Sequence, residues 1–235
     1  MIKLETHCHS LGGSNCAKTR AEDIVKRYKA AGYGGIVLTN HYCQVCYDAY
    51  PADTHKQKLD FWFSLYNKMK DECEKAGLKC FYGAEVRALT KITEYSEYMI
   101  YGFDERFLYD NKPLFFYTQE EMFRLCDKNG VFMYQTHPFR IGVNVGDPRF
   151  IHGAEAFNGH INHQNNNALA DKFCEENHLI KISGTDFHDP DQPITGGIII
   201  NDDVKDNKSL TQLLFDGKFS LIEDKDTYEK LLRER

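Results

Sequence analysis

The chain has 235 residues, a formal net charge of -6, 27% charged residues and eight cysteines. That length gives one barrel-sized α/β domain, or two small ones, a full core, and the dispersed Lys and Arg form no basic stripe, so extended nucleic acid is not an expected partner. No apolar run reaches the length of a membrane span and no signal-peptide pattern opens the chain, while scattered cysteines in a chain this long read as reduced thiols; a cytoplasmic protein with no membrane partner is expected.

The first strand is expected over residues 2–9, where the two-residue period sends His7 and His9 from one face and Cys8 from the other. Thr19 and Glu22 then stand in capping-box spacing, and Ile24, Val25 and Tyr28 follow at helical intervals up to Gly32, giving a helix that leads into a strand over 35–41. A second amphipathic stretch, 55–76, carries Leu59, Phe61, Trp62, Leu65, Tyr66 and Met69 as a core-facing stripe before a strand over 79–89. The strand expected at 97–103 follows a turn rather than a helix. Thr118 and Glu121 open a helix that ends on Asn129 and Gly130, and a strand over 131–138 comes next. Strand 153–159, helix 164–178, strands 180–188 and 196–202 and a helix within 209–217 complete the order. No repeat, linker or low-complexity tract interrupts it, so the reading is one α/β domain over residues 1–235. About seven strand–helix units suggest a closed, distorted barrel over an open sheet.

His7, His9, His41, Glu85, His137, Asp186 and His188 all fall at or just beyond the C-terminal end of an expected strand. In a βα barrel those ends converge on one face, so seven potential metal ligands would meet in one basin. His55, His152 and His178 fall elsewhere and read as ordinary loop or solvated residues. Imidazole with carboxylate suits zinc, iron or manganese, with Glu85 the natural bridge between two ions, and Asp186 and His188 repeat the two-residue spacing of His7 and His9.

The ordered set "THCHS", "LTNH", "GAEV", "THP" and "GTDFH" resembles the polymerase and histidinol phosphatase (PHP) family, from about residue 3 to 190. The resemblance implies a distorted (β/α)7 TIM-like barrel that holds two or three divalent ions, zinc, manganese or iron, on its top face and hydrolyses phosphate esters. Carried over, it implies that His7, His9, Glu85 and Asp186 hold a first ion, Glu85 and His137 a second, and His41 and His188 a third. Asn15 or Cys16 stands where many members have a histidine or an acid, Asp104 where they have a histidine, and Asn40 where an aspartate is common. These departures leave the third position incomplete, and they leave the second weak or selective for a harder metal such as manganese.

The expected function is therefore hydrolysis of a phosphomonoester or phosphodiester of a small metabolite or a terminal nucleotide, with two ions providing a hydroxide nucleophile near neutral pH. His41 or His188, where not bound to an ion, would be the general acid. Arg140 is the first candidate to bind the phosphate and Arg20 the second, with Arg87 and Lys18 also near strand-end loops, because a guanidinium fork matches two oxygens at once. Cys43 and Cys46 lack the further ligands of a zinc knuckle and read as loop cysteines; His160 and His163 lie beyond a strand end, within reach of substrate or metal. Two other readings stand beside this one. The first is a metal-dependent hydrolase of an amide-type bond, which typically uses a strand-end lysine that the chain does not offer. The second is a non-catalytic metal-binding or regulatory domain on the same barrel. Substrate identity and oligomeric state do not follow from the sequence.

Overall fold

The computed structural model describes residues 1–91 and 94–234. Its elements run β1 Ile2–Cys8, α1 Ala21–Ala30, β2 Tyr33–Leu38, β3 His41–Tyr42, α2 Gln44–Ala49, α3 His55–Ala76, β4 Lys79–Lys91, β5 Glu94–Tyr101, α4 Glu105–Tyr109, α5 Gln119–Lys128, β6 Phe132–Gln135, β7 Gly153–Asn158, α6 Asn167–Glu176, β8 Ile180–Gly184, β9 Gly196–Ile200, α7 Asn207–Phe215, β10 Ser220–Glu223 and α8 Lys225–Arg233. α3 keeps the expected limits because Thr54 and Gln57 cap its start reciprocally and Gly77, at φ 70°, takes the left-handed turn that ends it. α5 likewise starts on the Thr118–Glu121 box. α1 does not use the expected box: Arg20 is its first flanking residue, and the Thr19 hydroxyl donates instead to the His188 carbonyl at 3.0 Å. The strand expected over 35–41 is broken at Thr39 and Asn40, while α2, α4, β10 and α8 are additional to the expected elements. Cys43 and Cys46, expected in a loop, sit at the N-terminus of α2, both buried.

The strands lie in the order β10-β9-β1-β2-β4-β5-β6-β7-β8, with β3 beside β4. β1, β2 and β4 are parallel, as are β6, β7 and β8, but β5 runs antiparallel to both of its neighbours. Beyond β8 the chain returns to β1, where the His9 N–H donates to the Phe187 carbonyl at 2.9 Å and the Phe187 N–H donates to the His7 carbonyl at 3.0 Å. At the opposite end β9 takes the same edge of β1, pairing Ile2 with Ile200 and Leu4 with Ile198. The result is a nearly closed, distorted TIM-like α/β barrel. Leu4, Phe81, Tyr101, Phe132, Tyr134 and Ile182 pack in one interior cluster, and the stripe on α3 buries Leu59, Trp62 and Met69 against neighbouring elements. Gly184 is a close-approach position: a Cβ there would lie 2.6 Å from the His7 Cβ.

An irregularity in β1 decides where its histidines point. Leu4 belongs to the interior cluster and Cys8 to the cluster with α1 and α3, although a four-residue spacing in a regular strand would put both on one face. The register explains the change of face: Glu5 lies opposite Ile36 and Cys8 opposite Leu38, so three steps of β1 span two of β2. Such a bulge turns the following side chains over, and His7 and His9 enter the barrel. The Glu5 carboxylate takes up the amides around the bulge, accepting at Oε1 from the N–H groups of Thr6 (3.0 Å), His7 (2.8 Å) and Thr185 (2.9 Å), and at Oε2 from the Tyr28 hydroxyl (2.7 Å). Burial pushes this carboxyl up to about 7 against the pull of those donors.

Replacing Glu5 by Ala strands three buried N–H groups, and an unsatisfied buried donor costs roughly 1–3 kcal/mol. The Glu5→Ala variant is expected to lose about 3 kcal/mol or more in urea denaturation; a midpoint equal to that of the parent protein would show that the bulge does not need the carboxylate.

Candidate metal centre

The barrel mouth gathers side chains from five places in the chain. β1 and the residue after it supply His7 and His9, β3 supplies His41 directly opposite Glu85 on β4, the turn after β6 supplies His137, and the turn after β8 supplies Asp186 and His188. All are buried. His137 (φ 29°) and Asp186 (φ 54°) hold left-handed backbone, a conformation non-glycine residues keep only where their surroundings impose it, and such positions concentrate at functional sites.

His7 Nε2 lies 3.0 Å from His9 Nε2, 3.4 Å from Glu85 Oε1 and 3.3 Å from Asp186 Oδ1. His9 Nε2 is 3.4 Å from both Glu85 Oε2 and Asp186 Oδ1. A tetrahedral ion with bonds of about 2.0–2.1 Å has ligand atoms about 3.3 Å apart, so these four side chains have the spacing of one coordination shell. A second group surrounds the other side of Glu85. His137 Nε2 is 3.1 Å from Glu85 Oε1 and 3.5 Å from Glu97 Oε2, and His41 Nδ1 is 2.8 Å from Glu85 Oε2 and 3.9 Å from Glu97 Oε1. His9, His41 and His188 form a third. His41 Nδ1 and Glu85 Oε2 are near each other yet misaligned for a hydrogen bond, and both are buried without a partner among the described residues, as is His137 Nδ1. Native interiors rarely leave polar atoms unpaired. A nitrogen and a carboxylate oxygen orphaned around one space fit a divalent cation.

The electrostatics agree with that fit. Burial pushes the Glu85 and Asp186 carboxyls up, but the imidazoles around them, with Arg140 beside Asp186, outweigh it and hold both well below the usual carboxylate range. Burial lowers His7, while Asp186, Glu155 and Glu85 together raise it well above its ordinary value. Burial, with His188 and His41 nearby, drives His9 the other way, so its ring is neutral. The outer nitrogens are anchored: His7 Nδ1 to Glu155 Oε1 at 2.9 Å, His9 Nδ1 to Ser14 Oγ at 2.9 Å, and His188 Nδ1 to the Asp186 carbonyl at 3.0 Å. An imidazole fixed in this way presents its other nitrogen to the centre.

Asp104 is not brought to the cluster. Because β5 is antiparallel, its C-terminal end leaves the barrel at the far side, where the Asp104 carboxylate accepts from the Phe107 N–H at 3.0 Å and caps α4; a separate cavity of about 1010 Å3 adjoins it, with none of the clustered histidines in its wall. The place opens instead to Glu97, early in β5, which Arg87 holds at 2.6 Å. Glu97 begins an apolar strand segment in the sequence, a signal that can be read only once the strand direction is known. Glu155, in the middle of β7, and Ser14 were likewise not singled out; Glu155 also accepts from the His137 N–H and Asn158 Nδ2, both at 2.9 Å.

Arg20 is not brought there either: it flanks α1, exposed, with Glu22 and Asp23 within 3.3 and 3.6 Å. Arg140 does reach the mouth, with Nη2 2.5 Å from Asp186 Oδ2 and 3.0 Å from Asn158 Oδ1, and Nε 2.8 Å from Asn165 Oδ1. It shares a cleft of about 310 Å3 with Arg87, Cys16, His160 and His163, which border the clustered ligands. Burial pushes His160 down to about 3, and its Nδ1 accepts from the Asn162 N–H at 3.2 Å, so the neutral ring carries its hydrogen on Nε2. Burial raises the Cys16 thiol, but the His188 and His41 imidazoles beside it outweigh that and bring it to about 6. Asn40, where an acid was a possibility, turns its Oδ1 to the Ser10 N–H at 2.8 Å and braces the loop that follows β1.

No protein-family model and no curated protein sequence matches the chain. Solved structures match in fold. PsfC from Pseudomonas syringae aligns with a TM-score of 0.69 at 14% identity, over 98% of this chain and 94% of its own. A two-domain protein from Bacteroides vulgatus containing a predicted PHP-like metal-dependent phosphoesterase gives 0.64 at 16% identity, over 99% and 69%. An amidohydrolase from Chromobacterium violaceum with bound sulfate gives 0.58 at 13%, over 96% and 99%. At 13–16% identity, what the chain shares with these three proteins is the barrel fold.

Glu155→Gln turns an amide NH2 toward His7 Nδ1 if its oxygen is to keep the His137 and Asn158 donors, which moves the ring hydrogen to Nε2 and blocks that atom as a ligand. An outer partner of this kind is worth about 10–100-fold in metal affinity. Calorimetric titration with zinc is expected to show that loss while the fold, by circular dichroism, is unchanged. Asp104→Ala is expected to cost about 1 kcal/mol through the lost cap and leave zinc affinity as it was, whereas Glu97→Gln weakens it; the reverse pattern would return Asp104 to the centre.

Proposed function

We propose that the protein is a metal-dependent phosphoesterase acting on a phosphomonoester or phosphodiester of a small metabolite or of a nucleotide end. The observation that carries this reading is that His7 Nε2 and His9 Nε2 lie 3.0 Å apart and each within 3.3–3.4 Å of an oxygen of Glu85 and of Asp186, beside a cleft bordered by guanidinium groups. Ions held by these residues, and by His41, Glu97 and His137 around the other side of Glu85, would supply Lewis acidity toward a phosphoryl oxygen and lower the pKa of water. The chain's own groups do the rest. Arg140 binds a phosphoryl oxygen through Nη1, the edge for which no partner appears among the described residues, while its Nε and Nη2 are fixed by Asn165, Asn158 and Asp186. Arg87 adds charge to the lining of the same cleft. His160 donates from Nε2 to a substrate oxygen, and whichever of His41 and His188 is free of an ion protonates the leaving oxygen.

Cleft size limits the substrate: about 310 Å3 accommodates a phosphate with a small organic group, not a length of duplex. The sulfate bound by the amidohydrolase neighbour is a tetrahedral oxyanion of the same shape as phosphate. That neighbour also supports a second reading, hydrolysis of an amide-type bond. The lining disfavours it, since no lysine borders the cleft among the described residues.

The test is turnover of p-nitrophenyl phosphate and bis(p-nitrophenyl) phosphate by protein loaded with manganese, zinc or iron. Metal-dependent release of nitrophenol is expected, with His9→Ala and Asp186→Asn each losing more than the about 100-fold that an outer partner can carry. Two or more bound ions per chain with no turnover in any form would favour a non-catalytic domain, and turnover confined to anilide substrates would favour the amide reading.

A further inference from the structure

The loop from Ser10 to Arg20 is pinned at both ends of a short span. Ser14 Oγ accepts from the His41 N–H at 2.9 Å, so the loop is fixed to the strand that carries one imidazole. The Lys18 N–H and the Thr19 hydroxyl both donate to the His188 carbonyl at 3.0 Å, which fixes it to the turn that carries the other. Cys16 lies between these two anchors and lines the same cleft as the His41 and His188 side chains. His9 stacks between the same two rings, with centroids 4.4 Å from His41 and 4.2 Å from His188. The His188 Nδ1 is committed to the Asp186 carbonyl, leaving Nε2 as its available lone pair. His41, more than nine-tenths buried, has no hydrogen-bond partner for its Nδ1 among the described residues, with Glu85 Oε2 2.8 Å away.

We propose that the Cys16 thiolate is a ligand of an ion held together with His41 and His188, and that this position therefore selects zinc or iron over manganese and magnesium. This rests on the metal-centre reading given above and adds to it a ligand and a preference. A thiolate with imidazoles is a soft donor set suited to zinc and iron, whereas manganese and magnesium favour the carboxylate-rich side around Glu85 and Glu97. Coordination breaks the S–H bond, forms the metal–sulfur bond and releases the proton to solvent. The two sides of the centre then differ in hardness. With His41 and His188 both engaged, His160 and His163 are the imidazoles left bordering the cleft.

The experiment is titration of the whole chain with cobalt(II), read by absorption, for the parent protein and for Cys16→Ser. Expected are visible ligand-field bands in both proteins and a near-ultraviolet sulfur-to-cobalt charge-transfer band in the parent protein alone. A parallel reading needs no variant: modification of the exposed thiol by dinitrobenzoate disulfide is expected to slow about 100-fold with free zinc about 100-fold above its dissociation constant, and not with magnesium. Ligand-field bands without the sulfur band, or a sulfur band that survives in Cys16→Ser, would overturn the Cys16 assignment and leave the metal centre standing. Absence of any ligand-field band would overturn both.

Discussion

The structure depends on placing two ionised carboxylates, Glu85 and Asp186, in a barrel mouth with almost no access to water. A buried charge without compensation is among the costliest features a fold can carry, and geometry and hydrogen bonding decide whether opposite charge repays it. Here the compensation comes from His7, His41 and Arg140, whose proximity keeps both carboxyls ionised against the push of burial. His41 Nδ1 and Glu85 Oε2, without hydrogen-bond partners among the described residues, are a donor pair that fits a divalent cation.

The scaffold around that charge is built to hold it in one geometry. The β1 bulge aims His7 and His9 into the barrel, and the Glu5 carboxylate ties the bulge to Thr185, the residue before Asp186. Glu155 joins His7 to the backbone of His137, and Ser14 joins His9 to the backbone of His41. Each carboxylate or hydroxyl thus couples two ligands from distant parts of the chain, so a displacement of one element is felt by both. The left-handed backbone at His137 and Asp186 is tolerated within this web of bonds.

The antiparallel β5 gives the centre its asymmetry. A strictly parallel barrel would deliver only strand C-termini to the mouth; reversing one strand brings an acid from the beginning of β5, Glu97, to within 3.5 Å of His137 and 3.9 Å of His41. Arg87 and Arg140 flank the cleft, each committed to a carboxylate of the centre, so the cationic walls are positioned by the same acids that line the floor. An anion entering there would meet fixed charge rather than mobile lysines, which lowers the ordering cost of binding.

Much of this was legible in one dimension. Alternating strand and helix patterns gave the α/β barrel, the helix over 55–76 was marked by its aromatic stripe, and the strand-end positions of His7, His9, His41, Glu85, His137, Asp186 and His188 marked the residues that meet, because strand period and parallel connection are local properties of the chain. Asp104 and Glu97 exchanged places because strand direction is a long-range property: both are acids beside the same apolar run, and only pairing with β4 and β6 says which end faces the mouth. Arg20 and Arg140 both follow strand ends in sequence, yet one flanks a helix in solvent and the other lies against Asp186. The residue types and their order were therefore determined by the sequence itself. The side on which each acid and guanidinium falls was decided by register, a bulge and one reversed strand, which only the closed barrel fixes.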